Sequence, residues 1–248
     1  MLVLLPPSET KRTGGTEGTT LDFAALSWPE LTPQRRAAVE GVRRLSRNLG
    51  AATGALRLGG TQAAEVARNR LILTSPTMPA IDRYDGVLYE GLDAVTLTGE
   101  QRAFAGRHLA IASAAFGLTG GLDPIPAYRL SHDSRLPGLP LGRLWRAPLA
   151  ALLESTTGLL LDLRSEAYAA FGPLPERPDA AFVRVVSEDG SGRRRALNHF
   201  NKKGKGEFTR MLVEAGLDHP DVGSLLAWAA RSGVRLERGA AGELDLLV

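Results

Sequence analysis

The stretch "LLLDLRSEAYAAF", residues 159–171, carries the reading that decides the fold. Leu159–Leu163 is apolar apart from Asp162 and too short for a buried helix, so it reads as a strand buried on both faces. "SEAYAAF" follows directly and reads as a short helix. A buried strand feeding straight into a helix is a unit of an α/β sheet, and polar residues at such a strand end face a cleft. Arg164, Ser165, Glu166 and Tyr168 occupy that place. Two readings stay open there. Glu166 acts as a general acid or base while Tyr168 positions or stacks a base. Alternatively, Ser165 caps the helix and Glu166 sits favourably on its dipole.

The flanking sequence gives the same mixture. "MLVLL" reads as a buried strand stopped by Pro6 and Pro7. Thr32 followed by Pro33 predicts a helix that runs to Leu49 and stops at Gly50. "RLILTS" predicts a short strand, Thr98 with Gln101 a capping box, and "HLAIASA" a central strand. "FGLTGGLDPIPAYRL" is too rich in glycine and proline for a regular element. "APLAALLES" reads as a helix. "AFVRVVS" and "RRRALNHF" are strands around the turn "EDGSG", a helix is expected from Gly204 to Glu214, "DVGSLLAWAARS" is a further helix, and "VRLERGAAGELDLLV" closes the chain as a hairpin. No composition break or repeat divides the chain. The expectation is one mixed α/β (α+β) domain over residues 1–248.

The 248 residues are 44% hydrophobic and 23% charged, with a net charge of +3, as in an ordinary, mildly basic globular protein. With no cysteine, disulfides and thiolate chemistry are excluded. No apolar run reaches the ~20 residues of a membrane span, and the short apolar start lacks a preceding basic region. A cytoplasmic monomer is expected. The loop "TKRTGGTEGTT" lacks the lysine of a phosphate loop, leaving a surface loop from which Lys11 and Arg12 reach an anion. His108, His132, His199 and His219 show no metal-binding spacing, and no nucleophile elbow occurs. Neither a metal nor a cofactor is expected.

One stretch departs from this ordinary chemistry. "NHFNKKGKGEFTR", residues 198–210, holds Lys202, Lys203 and Lys205, while the only other lysine is Lys11 and the remaining 26 basic residues are arginine. Arg193, Arg194 and Arg195 lie on the strand just before it. Basic residues at a helix start, set between glycines, suit a phosphate, because backbone N–H groups add to the lysine charge. A compact ammonium whose pKa falls on burial also suits a Schiff-base nucleophile. A solvated charged turn is the plainer alternative.

Six stretches in this order, "LLPPSETK", "YDGVLYEGLD", "ASAAFGLTGGLDPIPAYRL", "LWRAPL", "LLLDLRSEAYAAF" and "NHFNKKGKGEFTR", resemble the YaaA family of bacterial peroxide-stress proteins, also called DUF328 or UPF0246, and within it a "PPSETK"-bearing, actinobacterial-like subgroup. The resemblance implies a single-domain, cantaloupe-like mixed α/β fold with a helix-hairpin-helix element and a positively charged cleft. It also implies DNA binding without strong sequence preference and protection from hydrogen peroxide. Carried onto this chain, the hairpin is expected at Phe116–Asp123, with Gly117, Gly120 and Gly121 turning N–H groups to a phosphate. A tight structural turn fits the same glycines. Arg129 and the basic residues 193–195, 202, 203 and 205 are the implied DNA contacts. Ser8, Lys11, Tyr84, Tyr128, Trp145 and Ser165 are the implied cleft residues. The alternative function is an enzyme on a nucleotide or damaged base. It would be favoured by a deep pocket enclosing Lys202 or Lys203 with Glu166 and Tyr168.

Overall fold

The computed structural model describes residues 1–59, 63–188, 194–196 and 200–248, with backbone only at 194–196 and 200. In chain order the elements are β1 (Leu2–Leu5), α1 (Thr32–Leu45), α2 (Leu49–Ala55), α3 (Ala63–Arg70), β2 (Met78–Pro79), α4 (Ala80–Arg83), α5 (Val87–Leu92) and α6 (Gly99–His108). There follow β3 (Leu109–Ser113), β4 (Gly117–Gly120), β5 (Pro124–Ile125), α7 (Leu141–Ser155), β6 (Leu160–Asp162), α8 (Glu166–Ala169) and β7 (Ala180–Glu188). β8 (Arg194–Ala196), α9 (Phe200–Ala215), α10 (Val222–Arg231), β9 (Leu236–Arg238) and β10 (Glu243–Leu247) complete the chain.

The main sheet runs β4-β3-β1-β6-β7-β10-β9, and β8 joins it by pairing with the far end of β7 at Val186–Glu188. β3, β1, β6, β7 and β10 are mutually parallel, whereas β4, β8 and β9 pair antiparallel. β1 and β3 are buried along nearly their whole length, as apolar central strands of a parallel sheet must be. From β1 the chain crosses to β3 on one side, and later returns to β6 on the other. A crevice outside the carboxyl ends of β1 and β6 is therefore a topological switch point, where ligands bind in open α/β sheets.

Most of the sequence expectations stand: the strands at 2–5, 109–113 and 160–162, the Thr98–Gln101 capping box, the β7–β8 pairing and the closing β9–β10 hairpin. The turn "EDGSG" falls largely outside the described residues. Four differences have physical reasons. The first long helix ends at Leu45, and Asn48 caps a separate α2 by accepting from the Ala51 N–H. Residues 71–75 are a turn, because α3 extends through Arg70 and the apolar run "LIL" is absorbed at its end. α9 begins at Phe200, four residues earlier than expected, so its lysines lie within the helix. The glycine-rich stretch after Phe116 does form strand, β4, in an antiparallel hairpin with β3.

That last point corrects the placement of the hairpin element. Phe116–Asp123 follows a strand and lies in the sheet, so no helices flank it. Gly120 N–H donates to Asp123 Oδ2 and Gly121 N–H to the Leu109 carbonyl. A Cβ on Gly117, at φ +75°, would lie 2.6 Å from the Trp145 ring. These glycines serve close packing and turn geometry, the plainer of the two readings. A short helix–turn–helix is found instead where α4 and α5 flank Tyr84–Gly86.

Candidate functional site: a lysine-lined crevice at the switch point

A cavity of about 390 Å³ occupies the switch point. Pro6, Pro7, Ser8 and Glu9 line it from the end of β1, and Leu163, Ser165, Ala167 and Tyr168 from the end of β6 and the start of α8. Leu130, Ser131 and His132 close one side. Asn201, Lys202 and Lys205, from the first two turns of α9, close another. Lys202 and Lys205 share a face because positions three apart on a helix are neighbours. Lys203 points elsewhere and pairs with Glu207, 3.5 Å away on the surface. The three lysines thus separate into two that line the cavity and one that is ordinary surface charge.

Lys202 is exposed at the rim, while Lys205 is only 4% exposed. Its Nζ donates to the Arg164 carbonyl at 3.2 Å and lies 5.2 Å from the centre of the Phe182 ring. Burial pushes its pKa down to about 8, with nearby Arg184 acting in the same direction and Asp162 and Glu166 against it. Asp162 is committed elsewhere. It holds Arg164 in a fully buried bidentate pair at 2.9 and 2.7 Å, and Arg164 also donates to the Gly172 carbonyl. Among the described residues, neither Lys202 nor Lys205 is ion-paired to a carboxylate. The Oδ1 atom of Asn201 is buried without a hydrogen-bond partner among the described residues.

Behind Glu9 lies a second polar layer. Lys11 is 3% exposed, and its Nζ donates to the Glu9 carbonyl at 3.2 Å and sits 4.2 Å from the centre of the Tyr128 ring. Burial, followed by the charge of Arg129, lowers the Lys11 pKa to about 7. Tyr128 OH is bonded to Tyr84 OH at 2.8 Å and to Ser113 Oγ at 2.7 Å. Burial raises the Tyr128 pKa to about 12. Arg129 donates to Glu9 Oε2 at 2.6 Å, and its Nε is a buried donor without a partner.

The structure sorts the residues singled out from sequence. Ser8, Ser165, Tyr168, Lys202 and Lys205 meet in the cavity, and Lys11, Tyr84, Tyr128 and Arg129 cluster behind Glu9. Trp145 is completely buried and donates to the Ala114 carbonyl, so it is a core residue rather than a cleft residue. Glu166 is exposed, points away from the cavity and pairs with Arg184 at 3.1 Å, so the expected grouping of Glu166 with a lysine and Tyr168 is not formed there. Ser165 occupies the cap position of α8 without a side-chain cap bond. The glycines between the lysines pack the helix rather than admit a ligand. Gly204 faces Val185 and Val248, and Gly206 abuts the Leu88 carbonyl and Gly91 of α5. Arg193 and His199 lie outside the described residues, and Arg194 and Arg195 are placed only by the backbone of β8. Ser131, His132 and Asn201 belong to the cavity but carried no sequence signal beyond, for Asn201, its place one residue before Lys202.

These features define a mixed α/β protein with a cationic pocket at the switch point of its sheet. The chain belongs to the YaaA family: the family model described as "Peroxide stress protein YaaA" matches residues 1–230. It is 39% identical over 242 residues to a UPF0246 protein of Corynebacterium glutamicum, covering 96% of this chain and 95% of that protein. It is 40% identical over 220 residues to a UPF0246 protein of Streptomyces coelicolor, covering 87% and 84%. A UPF0246 protein of Lactobacillus delbrueckii subsp. bulgaricus is 26% identical over 233 residues, covering 90% and 89%. Among the described residues no helix is long and apolar enough to cross a membrane.

Proposed function

We propose that the protein acts in the response to hydrogen peroxide by binding DNA through the crevice at the ends of β1 and β6, with little sequence preference. Membership of a family described by peroxide stress supports the first part. The observation that carries the second is the convergence of Lys202 and Lys205, at the start of α9, on one cavity, with neither lysine ion-paired to a carboxylate among the described residues. The 16-residue α9 adds the positive end of its dipole, which suits phosphate and opposes the two lysines in its absence. Arg129, half-engaged by Glu9, adds a further cation behind the cavity. α4 and α5 with their Tyr84–Gly86 turn are the helix–hairpin–helix candidate in this reading. Backbone contacts of this kind position DNA without reading bases.

Fluorescence anisotropy with labelled duplex and single-stranded DNA at several salt concentrations tests the reading. Neutralising five to seven phosphates gives a log–log salt slope of roughly −4 to −6 on duplex DNA. Absence of binding at low salt, or binding insensitive to salt, overturns it.

A further inference from the structure

Lys205 is a buried amine on a cavity wall, and phosphate binding alone does not explain it. A phosphate contact is served by an exposed ammonium such as Lys202, one turn earlier on the same helical face. Among the described residues, Lys205 has exchanged its water for a single hydrogen bond, to the Arg164 carbonyl, and an aromatic face. Asp162, a carboxylate whose charge would hold it as an ammonium, is already occupied by Arg164. Lys205 lines both the main cavity and an adjoining one formed with Phe182, Arg184 and Glu166, so ligand atoms reach it from the crevice. By contrast, the other buried lysine, Lys11, lines neither of these cavities.

We propose that Lys205 forms an imine with the aldehyde of a phosphorylated sugar whose phosphate is held by Lys202 at the rim. The inference rests on the crevice being the ligand site proposed above. An abasic deoxyribose in DNA is the polymeric form of this chemistry, and free 2-deoxyribose 5-phosphate is the monomeric form. The Nζ lone pair attacks the carbonyl carbon, giving a carbinolamine. The former carbonyl oxygen then leaves as water, with protons exchanged through solvent at the cavity mouth, and a C=N bond remains. Amine, aldehyde, imine and one water balance, and no oxidant or reductant is involved. Burial assists the attack, because a lysine lowered to about 8 holds about two orders of magnitude more free amine at neutral pH than one at 10.5. Ser8 and Ser165 on the cavity wall offer hydroxyls to the sugar, whereas the Ser131 hydroxyl is engaged by Asp133.

The test is reductive trapping with cyanoborohydride on the full chain, followed by peptide mass spectrometry. The probes are an abasic-site duplex, an intact duplex, 2-deoxyribose 5-phosphate and 2-deoxyribose. The expected result is an adduct on Lys205 with the abasic duplex or the sugar phosphate. The unphosphorylated sugar should be trapped about tenfold less, reflecting the lost charged contact, and the intact duplex should give none. Lys205→Met should abolish the adduct while its melting curve shows a folded protein, and Lys202→Ala should reduce trapping of the phosphorylated probes only. No adduct in the wild type, adducts equal on Lys11, Lys202 and Lys203, or trapping unchanged in Lys205→Met each overturn the proposal. Anisotropy on the intact duplex, run in parallel, separates the two readings. Sugar-phosphate trapping without DNA binding removes the DNA reading and keeps the imine. DNA binding without any adduct removes the imine and keeps the DNA reading.

Discussion

The β3–β4 hairpin and the crevice between β1 and β6 both bury a cation against the main sheet, and they treat it in opposite ways. At the hairpin, Arg35 is fully buried and donates to the carbonyls of Phe116, Leu118 and Ser27 at 3.0, 2.7 and 2.7 Å. Its planar fork matches backbone acceptors, so it ties α1 to β4 as a strut. At the crevice, Lys205 makes one bond among the described residues and borders open volume. A cation held by three carbonyls from two segments is architecture, even with Nη1 of Arg35 left unpartnered among the described residues, whereas one held by a single carbonyl beside a cavity is available for chemistry. The chain's use of arginine almost everywhere makes the two buried lysines stand out for the same reason.

The largest effect expected from this contrast is at the strut. Arg35→Ala removes the donor from two buried carbonyls and one part-buried carbonyl and should cost about 3 kcal/mol or more, lowering Tm by about 6–12 °C in thermal melts. A change under ~1 kcal/mol would show that the hairpin does not depend on it. Lys205→Met should have the opposite sign. Removing a buried, underbonded amine should stabilise the fold by about 1–3 kcal/mol at pH 7 while ligand chemistry is lost. Destabilisation by that substitution would make Lys205 a strut like Arg35 and break the contrast.

The pH dependence follows from the lysines. Lys11, at about 7, and Lys205, at about 8, both lie below their unfolded value of 10.5. The unfolded chain therefore binds more protons between these values, and stability rises with pH through this window. From pH 7 to 9 Lys11 alone should contribute about 2 kcal/mol, and Lys11→Met should flatten the rise in Tm measured across it. An equal rise in that variant would place the titration elsewhere. The smallest effect separates neighbouring lysines. Lys202→Ala should weaken DNA binding about 3- to 10-fold and reduce the salt slope by about 1, whereas Lys203→Ala, already paired with Glu207, should leave both nearly unchanged. Equal losses would return the pair to a common surface patch.

Much of the molecule was legible in order of residues. Apolar runs long enough for a strand and too short for a helix located β1, β3 and β6, and the Thr98–Gln101 box located the start of α6, because these signals depend on neighbours in the chain. The anomaly of the lysines and the polar end of the strand at 164–168 marked both sides of the crevice. Local rules also misplaced residues. They set the start of α9 at Gly204, since glycine and charge there imitate a helix boundary, while contact of Gly204 and Gly206 with β7 and α5 favours helix through them. The family resemblance, for its part, implied Gly117, Gly120 and Gly121 as phosphate contacts, and there Trp145, Asp123 and the Leu109 carbonyl are their neighbours.

By itself the sequence determined that the protein is a mixed α/β chain, free of thiol chemistry, with Lys202, Lys203 and Lys205 gathered in one short stretch. Only the tertiary structure decided which of those lysines faces a cavity, that Glu166 and Trp145 stand outside it, and that Ser131, His132 and Asn201 stand within it. Periodicity and composition report what a residue needs from its surroundings. Desolvation and open valence arise between segments far apart in the chain, as when β1, β6 and α9 meet at the switch point.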